Sequence, residues 1–372
     1  MDTVYFEDIT ELKEYDDEFD DISNIIVKFD NLTSDDIVNN INILKKIQNL
    51  DCAATQITDI PNVLINLQYL NSGSRITEIP ISFVNLQHLN CSYSKITEIP
   101  TEFVNLQHLN CSDSKITEIP ISFVNLRSLI CYSTKIVDIP KKFVNLQELC
   151  CNYTKIAEIP NVLINLQYLE CIGSRITKIP KEFVNLQHLN CYNTKITEIP
   201  ISFVNLHSLY CSETSIKEIP KELINLTRLN CSQTQITEIP KELVNLHSLY
   251  CSKTLLKEIP KELIKLRILY CSGSKITEVP KELINLQELY CSKTLLTEIP
   301  KELTSLQELY CTDTRITKIP VNLDLLIYIK NDFIDISEHE ENVKKYKNEI
   351  KDIIKNGNVL NNDVSNLICT YI

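Results

Sequence analysis

The sequence predicts an α/β repeat solenoid, a right-handed coil whose short parallel strands stack into one concave sheet behind a thin convex side. Three observations predict it. All 14 prolines fall on one period, at Pro61, Pro80 and then every 20 residues from Pro100 to Pro320. Cysteine keeps the same period, at Cys52 and then at 20-residue steps from Cys91 to Cys311. Leu, Ile and Phe recur at fixed places between them, the mark of a tandem array rather than of one compact core.

Each position in a copy has a physical job. In the copy that runs from Leu86 to Asn105, Leu89 and Cys91 alternate with Asn90 and Ser92, so one pair faces inward and the other outward on a short strand. Ile96, Ile99, Phe103 and Leu106 fill the rest of the coil. Pro100 fixes φ and offers no N–H, which suits the turn that opens the convex segment. One helical turn is all that twenty residues leave room for there, as in Pro240-Lys241-Glu242-Leu243. The Ser/Thr column (Thr55, Ser74, Ser94, Ser114 and Thr134 through Thr314) is expected to bond turn backbone. An Asn column, Asn66, Asn85 and Asn105 through Asn245 and Asn285, is expected to form a second structural ladder, loosened where Lys265 and Ser305 interrupt it.

The run Leu86-Gln87-His88-Leu89-Asn90-Cys91-Ser92-Tyr93-Ser94-Lys95-Ile96 resembles the leucine-rich-repeat pattern L-x-x-L-x-L-x-x-N-x-L, with Cys, Ser or Thr, and Ile in place of the third Leu, the Asn and the last Leu. The resemblance covers residues 47–330, about 14 repeats. It implies a horseshoe with short capping helices and a surface for binding proteins, and carries no particular partner with it. The twenty-residue repeats are similar to those of bacterial leucine-rich-repeat effectors. With a composition rich in Ile, Asn, Lys and Tyr, they are also similar to repeats of large amoeba-infecting DNA viruses.

The ends need lids. Residues 1–46 form an acidic N-terminal segment with a capping helix, in which Ser34-Asp35-Asp36 precede Ile37, Ile41, Leu44 and Ile47. Residues 331–372 supply a C-terminal cap helix over 338–356 and a tail, after a half-repeat of Leu323, Leu326 and Ile329. One copy is short. Leu70-Asn71-Ser72-Gly73-Ser74 lacks one residue relative to Leu169 through Ser174, the gap corresponds to Cys171, and a bulge or kink is expected there.

Charge excludes some partners. Residues 1–40 hold 13 Asp/Glu against two Lys, and the repeats are close to neutral within a net charge of −12. Nucleic acid is therefore an unexpected partner. No apolar run reaches the roughly 18 residues that cross a bilayer, and no secretory leader is recognisable, so a membrane is not expected either. Fifteen cysteines, repetitive rather than paired, point to a reducing intracellular, cytoplasmic compartment, the host's if the protein is viral.

No catalytic set, metal site or cofactor is expected. The Cys column replaces a core Leu and behaves as a small hydrophobe, while Cys150 stands at an outward position as an exposed thiol. His88, His108, His188, His207 and His247 sit at outward strand positions without a nucleophile beside them. The Glu column from Glu98 to Glu298 is a solvated, charge-balanced face. One outward position is informative: it carries Tyr210, Tyr250, Tyr270, Tyr290 and Tyr310 in the second half, bordered by His207, Arg228, His247 and Arg267. Tyr and Arg dominate binding hot spots. These nine residues are the expected partner-binding patch, on the concave face, of a non-catalytic, monomeric protein-interaction module. The alternatives are a scaffold that self-associates and a substrate-docking subunit of a ligase complex.

Overall fold

A computed structural model describes residues 3–6, 11–13, 15, 26–29, 39–53, 57–320, 323 and 328–330. The chain divides into two compact units, Met1–Leu226 and Thr227–Ile372. The C-terminal cap helix over 338–356 and the first residues of the N-terminal one lie outside the described residues.

In the first unit eleven strands run in sequence order, each parallel to the one before. They are β1 (Thr3–Phe6), β2 (Ile26–Phe29), β3 (Asn49–Asp51), β4 (Tyr69–Asn71), β5 (His88–Asn90), β6 (His108–Asn110), β7 (Ser128–Ile130), β8 (Glu148–Cys150), β9 (Tyr168–Glu170), β10 (His188–Asn190) and β11 (Ser208–Tyr210). The second unit repeats the arrangement in β12 (Arg228–Asn230), β13 (Ser248–Tyr250), β14 (Ile268–Tyr270), β15 (Glu288–Tyr290), β16 (Glu308–Tyr310) and β17 (Tyr328–Lys330). The described residues thus hold more than the 14 strands expected. β1 and β2 lie in the acidic segment, and β17 falls on the half-repeat. The helix α1 (Ile41–Leu44) is a single turn without a side-chain cap, and it buries Ile43 and Leu44.

The strands are three residues long because the coil asks no more of them. The middle Leu is buried in strands such as β5, β6, β10 and β15, where its neighbours stay partly exposed on the opposite face, whereas Ser128, Cys150, Ser208 and Ser248 are small enough to be buried there. Cys91, Ile96, Phe103 and Leu106 are fully buried, with Ile99 at 4%. The side of the coil away from the strands holds two tight turns per repeat: the Phe103 N–H donates to the Pro100 carbonyl and the Leu106 N–H to that of Phe103. No long helix fits between them.

The polar columns do the work expected of them. Ser94, Thr134, Thr254 and Thr294 each donate to the carbonyl of the Cys three residues before, at 2.6–2.7 Å. The Asn side chains, exposed rather than buried, reach back one rung: Asn105 Nδ2 donates to the Val84 carbonyl at 3.0 Å and Asn125 to that of Val104 at 3.0 Å. The coils near Lys265 and Ser305 are not loosened. The Leu266 and Leu306 N–H groups meet Leu263 and Leu303 carbonyls at 2.9 and 3.0 Å, as in other repeats, and Lys265 Nζ donates to Asn245.

The short repeat neither bulges nor kinks the ladder. Tyr69, Leu70 and Asn71 pair in register with His88, Leu89 and Asn90. The Ser72 N–H donates to Asn90 as the Cys91 N–H does to Asn110. Ser72 therefore occupies the cysteine's place and the missing residue is in the turn, which leaves Ser74 exposed and off the Ser/Thr column. Dropping a turn residue spares the inter-strand bonds, whereas dropping Cys would turn every later side chain to the wrong face.

Candidate binding faces

In-register stacking converts sequence columns into side-chain rows. Tyr250, Tyr270, Tyr290 and Tyr310 face one another across β13 to β16. Their ring centroids are 4.8, 3.9 and 4.1 Å apart, the first pair tilted and the other two nearly parallel at 12° and 13°. All four are part-exposed. The ring faces meet each other, so the row presents edges and hydroxyls to solvent. The hydroxyl of Tyr270 donates to Glu288 Oε2 at 3.3 Å and that of Tyr290 to Glu308 Oε2 at 2.8 Å. Burial first, then bonds with Tyr270, Glu308 and Tyr310, hold the Tyr290 hydroxyl far above its ordinary pKa, so it stays protonated.

The rest of the expected patch is dispersed. Arg228 is exposed at the first position of β12, beside Ser248. His247 and Arg267 precede their strands, in the edge column that elsewhere carries Gln, and so does His207 in the first unit. These two histidines are thus not at strand positions. Tyr210 closes the first unit's strand series, tilted against His188 with centroids 5.5 Å apart. The structure brings four of the five tyrosines together. It adds two residues that sequence reasoning missed, Glu288 and Glu308, whose shared first-strand position was the available signal.

A second aromatic row lies on the first unit, at that same first position. His88 and His108 stack at 4.3 Å and 3°, and Tyr168 and His188 at 4.2 Å and 6°. Beside the latter pair, Glu170 accepts from Tyr168 Oη at 2.6 Å and from Asn152 Nδ2 at 2.8 Å. Cys150 sits against this cluster and is 8% exposed, not the free surface thiol expected. Burial, followed by the Glu170 and Glu148 carboxylates, pushes its thiol up to about 12. The unit's edge holds a polar groove of about 830 Å³ lined by two amide columns, among them Gln68, Gln87, Gln107, Asn85 and Asn105, with Arg127.

The fourteen described cysteines are thiols, not disulfides, and all are buried. Burial pushes Cys91, Cys191 and Cys231 up to about 12. Among the described residues no group of three or more His, Cys, Asp or Glu is arranged to hold a metal ion, and no helix is long and apolar enough to cross a membrane.

The Leucine Rich Repeat family pattern matches residues 85–106, 105–126 and 185–206. None of the curated proteins matches the sequence. Among solved structures, the chain is similar to a leucine-rich-repeat protein of Leptospira interrogans, with a TM-score of 0.72 at 24% identity over 89% of this chain and 100% of that one. It is similar to the functional domain of InlJ from Listeria monocytogenes, which includes a cysteine ladder (0.64, 26%, 80% and 67%). It is also similar to YopM, a leucine-rich effector protein from Yersinia pestis (0.57, 18%, 77% and 83%). These three are bacterial, and none of them supports the viral resemblance. Matched segments, coil geometry and likenesses agree: the fold is a leucine-rich-repeat solenoid built on twenty-residue repeats.

Proposed function

We propose that the protein binds another protein, without catalysis, across its strand faces, and that the stacked tyrosines of the second unit are the principal contact. One observation carries the reading: four rings held at 3.9–4.8 Å, with two hydroxyls anchored on glutamates, form a surface ordered before any partner arrives. Rigid tyrosines give large contact area at low entropic cost. The exposed Arg228 and Arg267, with His247, offer cations to a partner's carboxylates, and Tyr210 with His207 extend the same chemistry to the first unit. Likeness to an effector and to an InlJ functional domain supports a binding role. A reducing, intracellular setting belongs to the same reading, supported by the buried thiols of the cysteine column. Viral origin rests on repeat length and composition alone.

The test is affinity capture with the full chain, followed by binding measurements on each captured protein. Tyr270→Ala with Tyr290→Ala should weaken a true partner by about 2 kcal/mol or more, roughly thirtyfold, and should lower thermal stability far less than Leu269→Ala. Unchanged binding of every captured protein, with only stability lost, would make the row sheet packing and end this reading.

A further inference from the structure

The first unit carries an apolar surface that lies on neither strand row. The residue after the buried Phe or Leu of each turn is Val or Ile in nine consecutive rungs of this unit, from Ile65 to Ile224, and the first eight, from Ile65 through Val104, Val124, Val144 and Ile164 to Val204, make the column. Each is 40–51% exposed. Rungs stack about 4.8 Å apart, so the column runs for about 34 Å. On alternate rungs it widens, with Ile81, Ile121 and Ile201 at 59–67% exposure and Val162, one place further along its turn, at 39%. The rungs between carry Thr101, Lys141 and Lys181 after the proline.

The backbone beneath this column is already satisfied. Asn side chains of the following rung donate to all eight carbonyls of the Val/Ile column, at 2.9–3.1 Å. The Val104, Val124 and Val184 N–H groups donate two residues back at 2.8 Å. Covering the column would therefore leave none of these carbonyls without a partner, the penalty that usually opposes burying turn backbone. A contiguous apolar strip of this kind is what marks an interaction site on a protein surface.

We infer that this column is an interface with a second copy of the same chain. Pitch selects the occupant. Apolar side chains spaced by one rung over seven steps are matched by another such array, whereas an extended strand advances about 3.3 Å and a helix about 1.5 Å per residue and falls out of step. A copy offset by one rung sets its wide rungs against this one's narrow ones. Twelve apolar side chains with the flanking Asn column give about twenty residues a side, the span of a stable interface. The contact leaves the strand faces open and stands independently of the partner-binding proposal.

Sedimentation of the full chain between about 1 and 100 μM tests it. The expected result is a concentration-dependent dimer that persists at high salt, weakened at least about tenfold by Val124→Lys with Val144→Lys. Thr117→Lys, an exposed change away from the column, should leave it intact, and circular dichroism should show both variants folded. Val124→Cys with Val144→Cys, which a one-rung offset about a two-fold axis sets opposite each other, should give a disulfide-linked dimer on oxidation, because the native thiols in the described residues are buried. A monomer at about 100 μM, a dimer indifferent to the lysines, or a column that instead holds lipid vesicles or an unrelated protein would overturn the inference.

Discussion

The ring of Tyr153 lies over the backbone of Gly173, so close that a β-carbon on the glycine would stand 2.8 Å from Tyr153 Cδ1. Gly173 has φ +59, yet Tyr93, Lys253 and other non-glycine residues hold the same turn position at φ 52–58. Left-handed backbone is thus tolerated throughout the array, and the ring is what requires glycine here. Gly173→Ala should destabilise by about 1–2 kcal/mol in denaturant melts. In a Tyr153→Ala background most of that loss should vanish; an undiminished loss would return the cause to φ.

Ser72 is the array's misfit. It stands in the cysteine column at 3% exposure, and its hydroxyl has no hydrogen-bond partner among the described residues. An unsatisfied buried hydroxyl costs about 1–3 kcal/mol. Ser72→Cys or Ser72→Ala should therefore raise the melting temperature, by the equivalent of about 1 kcal/mol or more. A fall in both variants would show that the hydroxyl is satisfied in solution.

Thiol titration reads the column directly. With described thiols buried and Cys91, Cys150 and Cys271 among those pushed up to about 12, native protein at about pH 8 should react little at any of these fourteen. Unfolding should expose all fifteen. Rapid native labelling of several thiols, Cys150 among them, would contradict the packed column.

The stacked His88 and His108 give the first unit a pH dependence. Burial lowers both below the ordinary 6.5, for His88 with help from the His108 charge and for His108 with help from Arg127 against Glu148. The unfolded chain then binds more protons than the folded one once pH falls below about 7. Stability should therefore drop between about pH 7 and 5, above the range where carboxylates titrate. Replacing both with Phe, which preserves stacking, should flatten the melting temperature over that window. An equal slope in the variant would place the dependence elsewhere.

The coil interior was legible in the sequence because a fixed period ties each apolar residue to one place. Leu89, Cys91, Ile96 and Phe103 are buried where their spacing put them. β1 and β2 were hidden for the same reason. Thr3 pairs with Ile26 and Val27 with Leu50, steps of 23 residues in an acidic context that breaks the pattern. The tyrosine row was legible from one column, but its glutamate anchors come from a neighbouring column and appear only once strands are set in register. The Val and Ile column was harder still. In any single repeat it is one apolar residue beside a buried Phe, and only stacking makes it a surface.

The Asn side chains that reach back one rung carry a last consequence, for heredity rather than stability. Along the Val/Ile column every such bond joins the same two places in adjacent coils, an Asn side chain and the carbonyl of the Val or Ile before the preceding Asn, so each coil offers the next the same acceptor. Excision of residues 106–125 would join Asn105 to Leu126 and leave a donor facing an acceptor at the seam, as before. Unequal crossing-over between repeats then lengthens or shortens the protein by whole coils without a frame of contacts being lost. The reach of its surfaces can be tuned by copy number, before any single residue is changed.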